Sequence, residues 1–246
     1  MTTKGMRALG FGISTALLAL APAAQGASTA YTERAAFDAA IAGHGDVRVL
    51  DFESVPAGTT IASGESLEGV TFTFEIEGGF DLIVLDSEID EIDTTSGSRS
   101  LGVEEEGVPL PLLAGDGFTL GFDRVVHAVG IYVIAGAIGG DIQPGDIMLR
   151  VPGRAAVTNG AEPDLVLGDG GEAYFLGLVE DDPAAGFTSA EVITILPPEG
   201  TERDFDWNAD DIVTAVVPEP AAGGAGLVAL VVLSGLARRA ARGARC

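Results

Sequence analysis

The chain is poor in the residues from which most enzyme sites and most small-protein scaffolds are built. It has one cysteine, Cys246, the last of 246 residues. No intramolecular disulfide can form, so burial or bound ions must hold whatever fold exists. Its two histidines, His44 and His127, are isolated, which argues against a zinc site of clustered His and Cys. His127, within Val125-Val126-His127-Ala128-Val129, reads as a satisfied strand histidine. No Gly-x-Ser-x-Gly occurs, and an activated nucleophile needs a His and an orienting acid beside it. With acids this numerous, a pair of carboxylates does not by itself indicate a glycosidase. The expectation is a protein without catalytic activity.

Positive charge is also scarce. Thirteen Lys and Arg stand against 37 Asp and Glu, a formal charge of -24 and a pI near 4.1. Phosphate affinity comes from neutralising cations, so nucleic acid is not an expected partner. The mean hydropathy is nevertheless +0.34, which places the apolar and the acidic residues in different segments.

The two ends carry much of the apolar excess. Residues 1–26 hold Lys4 and Arg7, an apolar run from Ala8 to Leu20, and small residues at Ala24-Gln25-Gly26. That order reads as a secretory signal peptide, too short in its apolar centre to span a bilayer. At the other end, Val217-Pro218-Glu219-Pro220 precedes seventeen uncharged residues, Ala221 to Ala237, and then Arg238, Arg239, Arg242 and Arg245. As a helix the uncharged run would span ~26 Å, a marginal transmembrane anchor for a hydrocarbon core of about 30 Å. The arginines would stay cytoplasmic, leaving residues 27–217 on the exported side.

Pro218, Glu219 and Pro220, the Gly/Ala/Leu/Val segment and the Arg cluster with Arg238 and Arg239 together resemble the PEP-CTERM sorting signal of Gram-negative exported proteins. The Arg cluster is longer than usual, and the terminal Cys246 departs from the pattern. The resemblance implies recognition and processing by exosortase, passage through the inner membrane with a transient membrane anchor, and release to the cell surface or extracellular matrix of a host that makes exopolysaccharide.

Residues 27–217 hold 36 of the acids and seven basic residues, all Arg, for a formal charge of -29. Like charge at that density favours an outward-facing distribution, salt or divalent cations. One helix is expected over Glu33 to Ala42, capped by Thr32, with Phe37 and Ile41 four apart on one face. The period then becomes two. Val70-Thr71-Phe72-Thr73-Phe74-Glu75-Ile76 alternates as a half-buried strand, and Gly78-Gly79 predicts a hairpin into Phe80 to Leu85. Further strands are expected at 47–52, 100–103, 118–122, 126–134, 147–151, 173–179, 191–196 and 212–217, with a tight turn at Pro144-Gly145. About ten short strands without intervening helical patterns predict an all-β antiparallel sandwich, with ten of the eleven Phe available for its core.

The order Tyr31-Thr32 with Phe37, Leu50-Asp51-Phe52-Glu53, Pro56-Ala57-Gly58-Thr59, Gly69-Val70-Thr71-Phe72, Phe175-Leu176-Gly177 and Asp210-Asp211-Ile212 is similar to a jelly-roll ectodomain found upstream of PEP-CTERM tails. Those domains look like galactose-binding or carbohydrate-module sandwiches. The resemblance implies that a terminal strand lies beside the first one, where Glu53, Asp210 and Asp211 could share a structural Ca²⁺. The alternative for the Asp pair is a turn capping the last strand. Independently, the oxygen chemistry of Ca²⁺ makes Asp86, Glu88 and Asp90 a candidate set, because alternate spacing puts them on one strand face or round one loop. A solvated acidic edge that prevents sheet association explains the same pattern. Trp207, the sole Trp, is either a platform for a sugar ring or a residue covering the core end. These residues leave open a second reading, a calcium-dependent carbohydrate-binding module for exopolysaccharide.

Overall fold

The computed structural model describes residues 28–76, 78–90, 94–135, 140–168, 170–182, 184–196 and 205–217. Residues 1–26, read above as a signal peptide, and 218–246, read as a sorting signal with an expected helix and with Pro218, Glu219, Pro220, Arg238 and Arg239, lie outside the described residues, as does the side chain of Asp90. Among the described residues no helix is long and apolar enough to cross a membrane.

The chain begins with β1 (Ser28–Tyr31), α1 (Arg34–Ile41), β2 (Asp46–Leu50), β3 (Thr60–Ile61), β4 (Ser66–Leu67) and β5 (Val70–Thr73). It continues through β6 (Asp81–Asp86), α2 (Ser87–Asp90), β7 (Arg99–Glu105), β8 (Val108–Leu110), β9 (Leu112–Leu113) and β10 (Gly117–Val126). The remainder is β11 (Ala128–Ala135), β12 (Ile147–Arg150), β13 (Ala156–Thr158), β14 (Leu165–Val166), β15 (Glu172–Glu180), β16 (Phe187–Thr194) and β17 (Asp206–Val216). The strands form two antiparallel sheets. The larger runs β1-β15-β11-β17-β7-β6-β3, with β14, β2, β8 and β9 attached to it, and the smaller runs β13-β12-β16-β10-β5-β4.

The sheets enclose the core expected of a sandwich. Phe72, Phe118, Leu120, Leu149 and Val192 of the smaller sheet join Leu82, Leu101, Val129, Ile131, Val133, Leu176 and Trp207 of the larger in one buried cluster. The larger sheet is buried on its outer face as well: Ala128, Tyr132, Ile134, Phe175 and Val213 pack with Phe37 and Ile41 of α1. Every residue of β11 is therefore buried, which explains its near-continuous apolar sequence where a one-sided strand would alternate. The helix reaches the sheet over two glycines. Gly130 and Gly177 are cross-strand partners, and a Cβ on Gly177 would stand 2.6 Å from the Phe37 ring and 2.7 Å from the Phe175 ring. The missing side chains are the space in which Phe37, fully buried, lies.

Three local expectations are corrected. The helix begins at Arg34 after Glu33, which has extended dihedrals, and no side chain caps it; Thr32 does not serve. The strand starting at Val70 does not form a hairpin with the next one, since β5 belongs to the smaller sheet and β6 to the larger. Both sides of β5 are already taken by β4 and β10, so after Gly78-Gly79 the chain crosses the core layer, burying Phe74 and Ile76 on the way. Asp210-Asp211 is not a turn capping the last strand: both residues lie inside β17, the longest strand described.

Candidate functional site

The pairing of β17 with β2 brings the two ends of the sandwich region together. Ile212 lies opposite Leu50, which carries Glu53, three residues further on, toward the Asp pair. Register alone would send Asp210 and Asp211 to opposite faces of the sheet. A bulge prevents this. Gly130 pairs with Val213 while Tyr132 pairs with Asp210, so β17 holds one extra residue, and Asp211 takes φ 47°, a left-handed conformation that Asp tolerates better than most residues. Both carboxylates then meet the same loop, residues 94–99.

What they hold is that loop. Asp210 Oδ2 accepts from Thr95 N at 2.8 Å, from Thr95 Oγ1 at 2.7 Å and from Ser96 N at 3.3 Å. Asp211 accepts from Ser96 Oγ at 2.8 Å and Thr95 Oγ1 at 3.3 Å. Glu53 Oε1 accepts from Ser98 N and Arg99 N, both at 2.7 Å, and its carboxylate occupies the space a Cβ on Gly97 would need, 2.2 Å from its Cδ. Gly97, with φ 56°, is thus required by both its backbone and its neighbour. The three acids named from the sequence are brought together, but through N–H and O–H donors of an intervening loop. Thr95 and Ser96 escaped sequence reading because Thr94-Thr95-Ser96-Gly97-Ser98 carries only a turn signal.

Asp210 is fully buried. Burial first, and the charge of Asp211 second, push its carboxyl up to about 7, against the opposing hydrogen bonds from Thr95. Positive charge nearby is limited: Arg34 Nη1 stands 4.0 Å from Asp211 while its Nε is 2.8 Å from Asp38. Behind Arg34, the Tyr132 hydroxyl donates to Asp164 Oδ2 at 2.6 Å, and the Arg34 amide donates to the same oxygen at 3.2 Å. Burial and the Asp164 carboxylate raise the Tyr132 phenol well above its ordinary range.

The Asp86 set is not on one strand face. Asp86 ends β6 and Glu88 lies in the short helix α2. Asp86 is paired with Arg99, and its Oδ1 accepts from Glu88 N at 3.0 Å, an N-terminal cap that competes with the all-strand reading. Trp207 is a core residue: its indole is fully buried, stacks on Phe118 with centroids 6.0 Å apart and planes 23° apart, and donates from Nε1 to Leu113 O at 3.2 Å. No face of it is left for a sugar ring. His127 is a buried residue between β10 and β11 whose Nδ1 accepts from Val217 N at 3.2 Å. Among the described residues no group of three or more His, Cys, Asp and Glu is placed to hold a metal ion.

The smaller sheet, by contrast, leaves one face open. Along β10 and β16 the buried residues alternate with partly exposed ones. A trough of about 500 Å³ lies on that open face, lined by Thr73, Glu75, Asp116, Gly117, Thr119 and Glu191 among others.

No family model and no curated protein matches the chain. Among solved structures the chain is similar to the K2 cleaved adhesin domain of Lys-gingipain, at 17% identity and a TM-score of 0.41, over 69% of this chain and 98% of that one.

Proposed function

We propose that this is an exported protein without catalytic activity, sorted by exosortase to the cell surface or extracellular matrix, whose jelly-roll-like sandwich is the delivered cargo. The observation that carries the reading is the order Val217-Pro218-Glu219-Pro220, uncharged segment and Arg cluster at the end of the sequence. The boundary supports it. The last strand among the described residues ends at Val216, and Val217 N donates to His127, so packing reaches the residue before Pro218. Cleavage within the Pro-Glu-Pro segment would leave the central strand β17 intact.

Fractionation of a host that makes exosortase tests this. With Pro218, Glu219 and Pro220 all changed to Ala, the chain is expected to stay full-length in the inner-membrane fraction, whereas the unaltered chain reaches the surface shortened. Equal delivery of both forms would refute the sorting role.

A second reading, a calcium-dependent carbohydrate-binding module, is favoured by one feature. Asp210 and Asp211 share one loop, and the ion-pair partner of Asp211 is as distant as 4.0 Å, so the pair carries negative charge that a Ca²⁺ ion would offset. Melting of the purified chain with calcium and with chelator tests the ion on which this reading depends: a chelator-sensitive transition that disappears in Asp211→Asn supports it, and superimposable transitions remove it.

A further inference from the structure

We propose that the trough on the open face of the six-stranded sheet is a docking surface for a glycan chain bearing ammonium groups, such as a partly deacetylated hexosamine polymer. This deepens the reading of the chain as an exported surface protein and rests on it.

The register builds the floor. Thr73 of β5, Thr119 of β10, Glu191 of β16 and Arg150 of β12 are successive cross-strand partners, so their side chains share one face in a row across the sheet. Alongside Thr119, Gly117 has no side chain, and that part of the trough has a backbone floor. Among the described residues the Thr73 and Thr119 hydroxyls and the Glu75 carboxylate make no side-chain hydrogen bond or ion pair, so they are available to an outside partner. Hydroxyls and carboxylates at this spacing are donors and acceptors for sugar hydroxyls, and a carboxylate also accepts from an ammonium group.

Charge selects among glycans. The trough presents one uncommitted carboxylate, Glu75, beside Glu191, which is paired with Arg150, and Asp116, which is buried and accepts from Leu113 N. All six described arginines, Arg34, Arg48, Arg99, Arg124, Arg150 and Arg154, are paired with a carboxylate. The one beside the trough, Arg150, is held by Glu191. An acidic polysaccharide would meet no uncommitted arginine there, and the formal charge of -29 over residues 27–217 would repel it. A cationic glycan is attracted by the same field. The trough also lies over backbone already paired on both sides in the sheet, so an added peptide strand finds no free edge there, which favours a glycan over a basic peptide.

The test is titration of the purified full-length chain in detergent with short chitosan oligosaccharides, neutral dextran and acidic alginate oligosaccharides. Chitosan oligosaccharides are expected to bind, and dextran and alginate to bind more weakly or not at all. Thr119→Lys and Glu75→Lys are each expected to weaken chitosan binding about ten-fold, because a new cation faces the ligand's own. Val166→Lys, on an exposed residue of the other sheet, adds the same charge away from the trough and is expected to leave binding unchanged. Equal loss in Val166→Lys would replace the site with diffuse charge attraction, and no chitosan binding would overturn the proposal. A lysine peptide that binds more tightly, with the same sensitivity to the two trough variants, would overturn the glycan in favour of a basic protein segment. Glu75 is exposed beyond the end of β5, so its variant keeps the test valid if Thr119→Lys fails to fold, which the melting transition shows. Failure here leaves the sorting assay untouched, because that assay reads delivery and not binding.

Discussion

Asp210 concentrates the tension in this molecule at a single carboxyl. It is buried beside a second acid, and the donors of the 94–99 loop offset only part of that cost. The direction of the pH effect follows from its raised value. The unfolded carboxyl titrates near 3.8 and the folded one near 7, so between those values the folded state binds the extra proton. Its contribution is therefore full below pH about 4 and is lost as pH rises through about 7. In chelator, the free energy of unfolding should fall across this window. Asp210→Asn, which carries no titrating group, should flatten that part of the profile; an unchanged slope in the variant would show that other groups set it.

At the scale of elements, the contact of α1 with the larger sheet depends on what Gly130 and Gly177 lack. Gly177→Ala would set a methyl against the Phe37 and Phe175 rings, and overpacking of this kind costs about 1–3 kcal/mol. Chemical denaturation should show that loss with little change in far-ultraviolet circular dichroism; a neutral result would mean that α1 can slide on the sheet. The bulge in β17 is the other decisive local device. It turns two neighbouring acids toward one loop, where a regular strand would have sent one of them to the core face. The element pattern was partly legible. Phe37 and Ile41 marked the buried side of the helix, and the alternation from Val70 marked a half-buried strand. The Gly78-Gly79 hairpin was not legible, because a glycine pair specifies a turn and cannot specify which sheet the next strand joins. Nor was the length of β17, whose first residues, Asp206 to Asp211, are polar by composition but lie in a central strand.

For the molecule as a whole, charge is the unusual quantity. With every described arginine paired, the remaining acids repel one another across the surface, and salt should relieve this. Raising sodium chloride from about 0.01 M to about 0.5 M shortens the screening length from about 30 Å to under 10 Å, and the melting temperature is expected to rise; a flat or falling curve would mean that the carboxylates are already neutralised by protons or bound cations. The sequence by itself determined the class of fold, because the period-two alternation, the Gly-rich turns and the supply of Phe admit a sandwich and little else. It also determined the acid balance and carried the segment order that resembles a sorting signal, both of which are local or additive properties of residues. Only the tertiary structure decided what the individual acids and aromatics do. Trp207 became core because β17 is central, with its odd-numbered side chains up to Ala209 facing the opposite sheet. Glu53, Asp210 and Asp211 met at one loop because β2 pairs with β17 and a bulge rotates the strand. Thr73, Thr119 and Glu191 came to share an open trough because three separate strands register side by side. Those relations join residues dozens of positions or more apart, and spacing along the chain does not encode them.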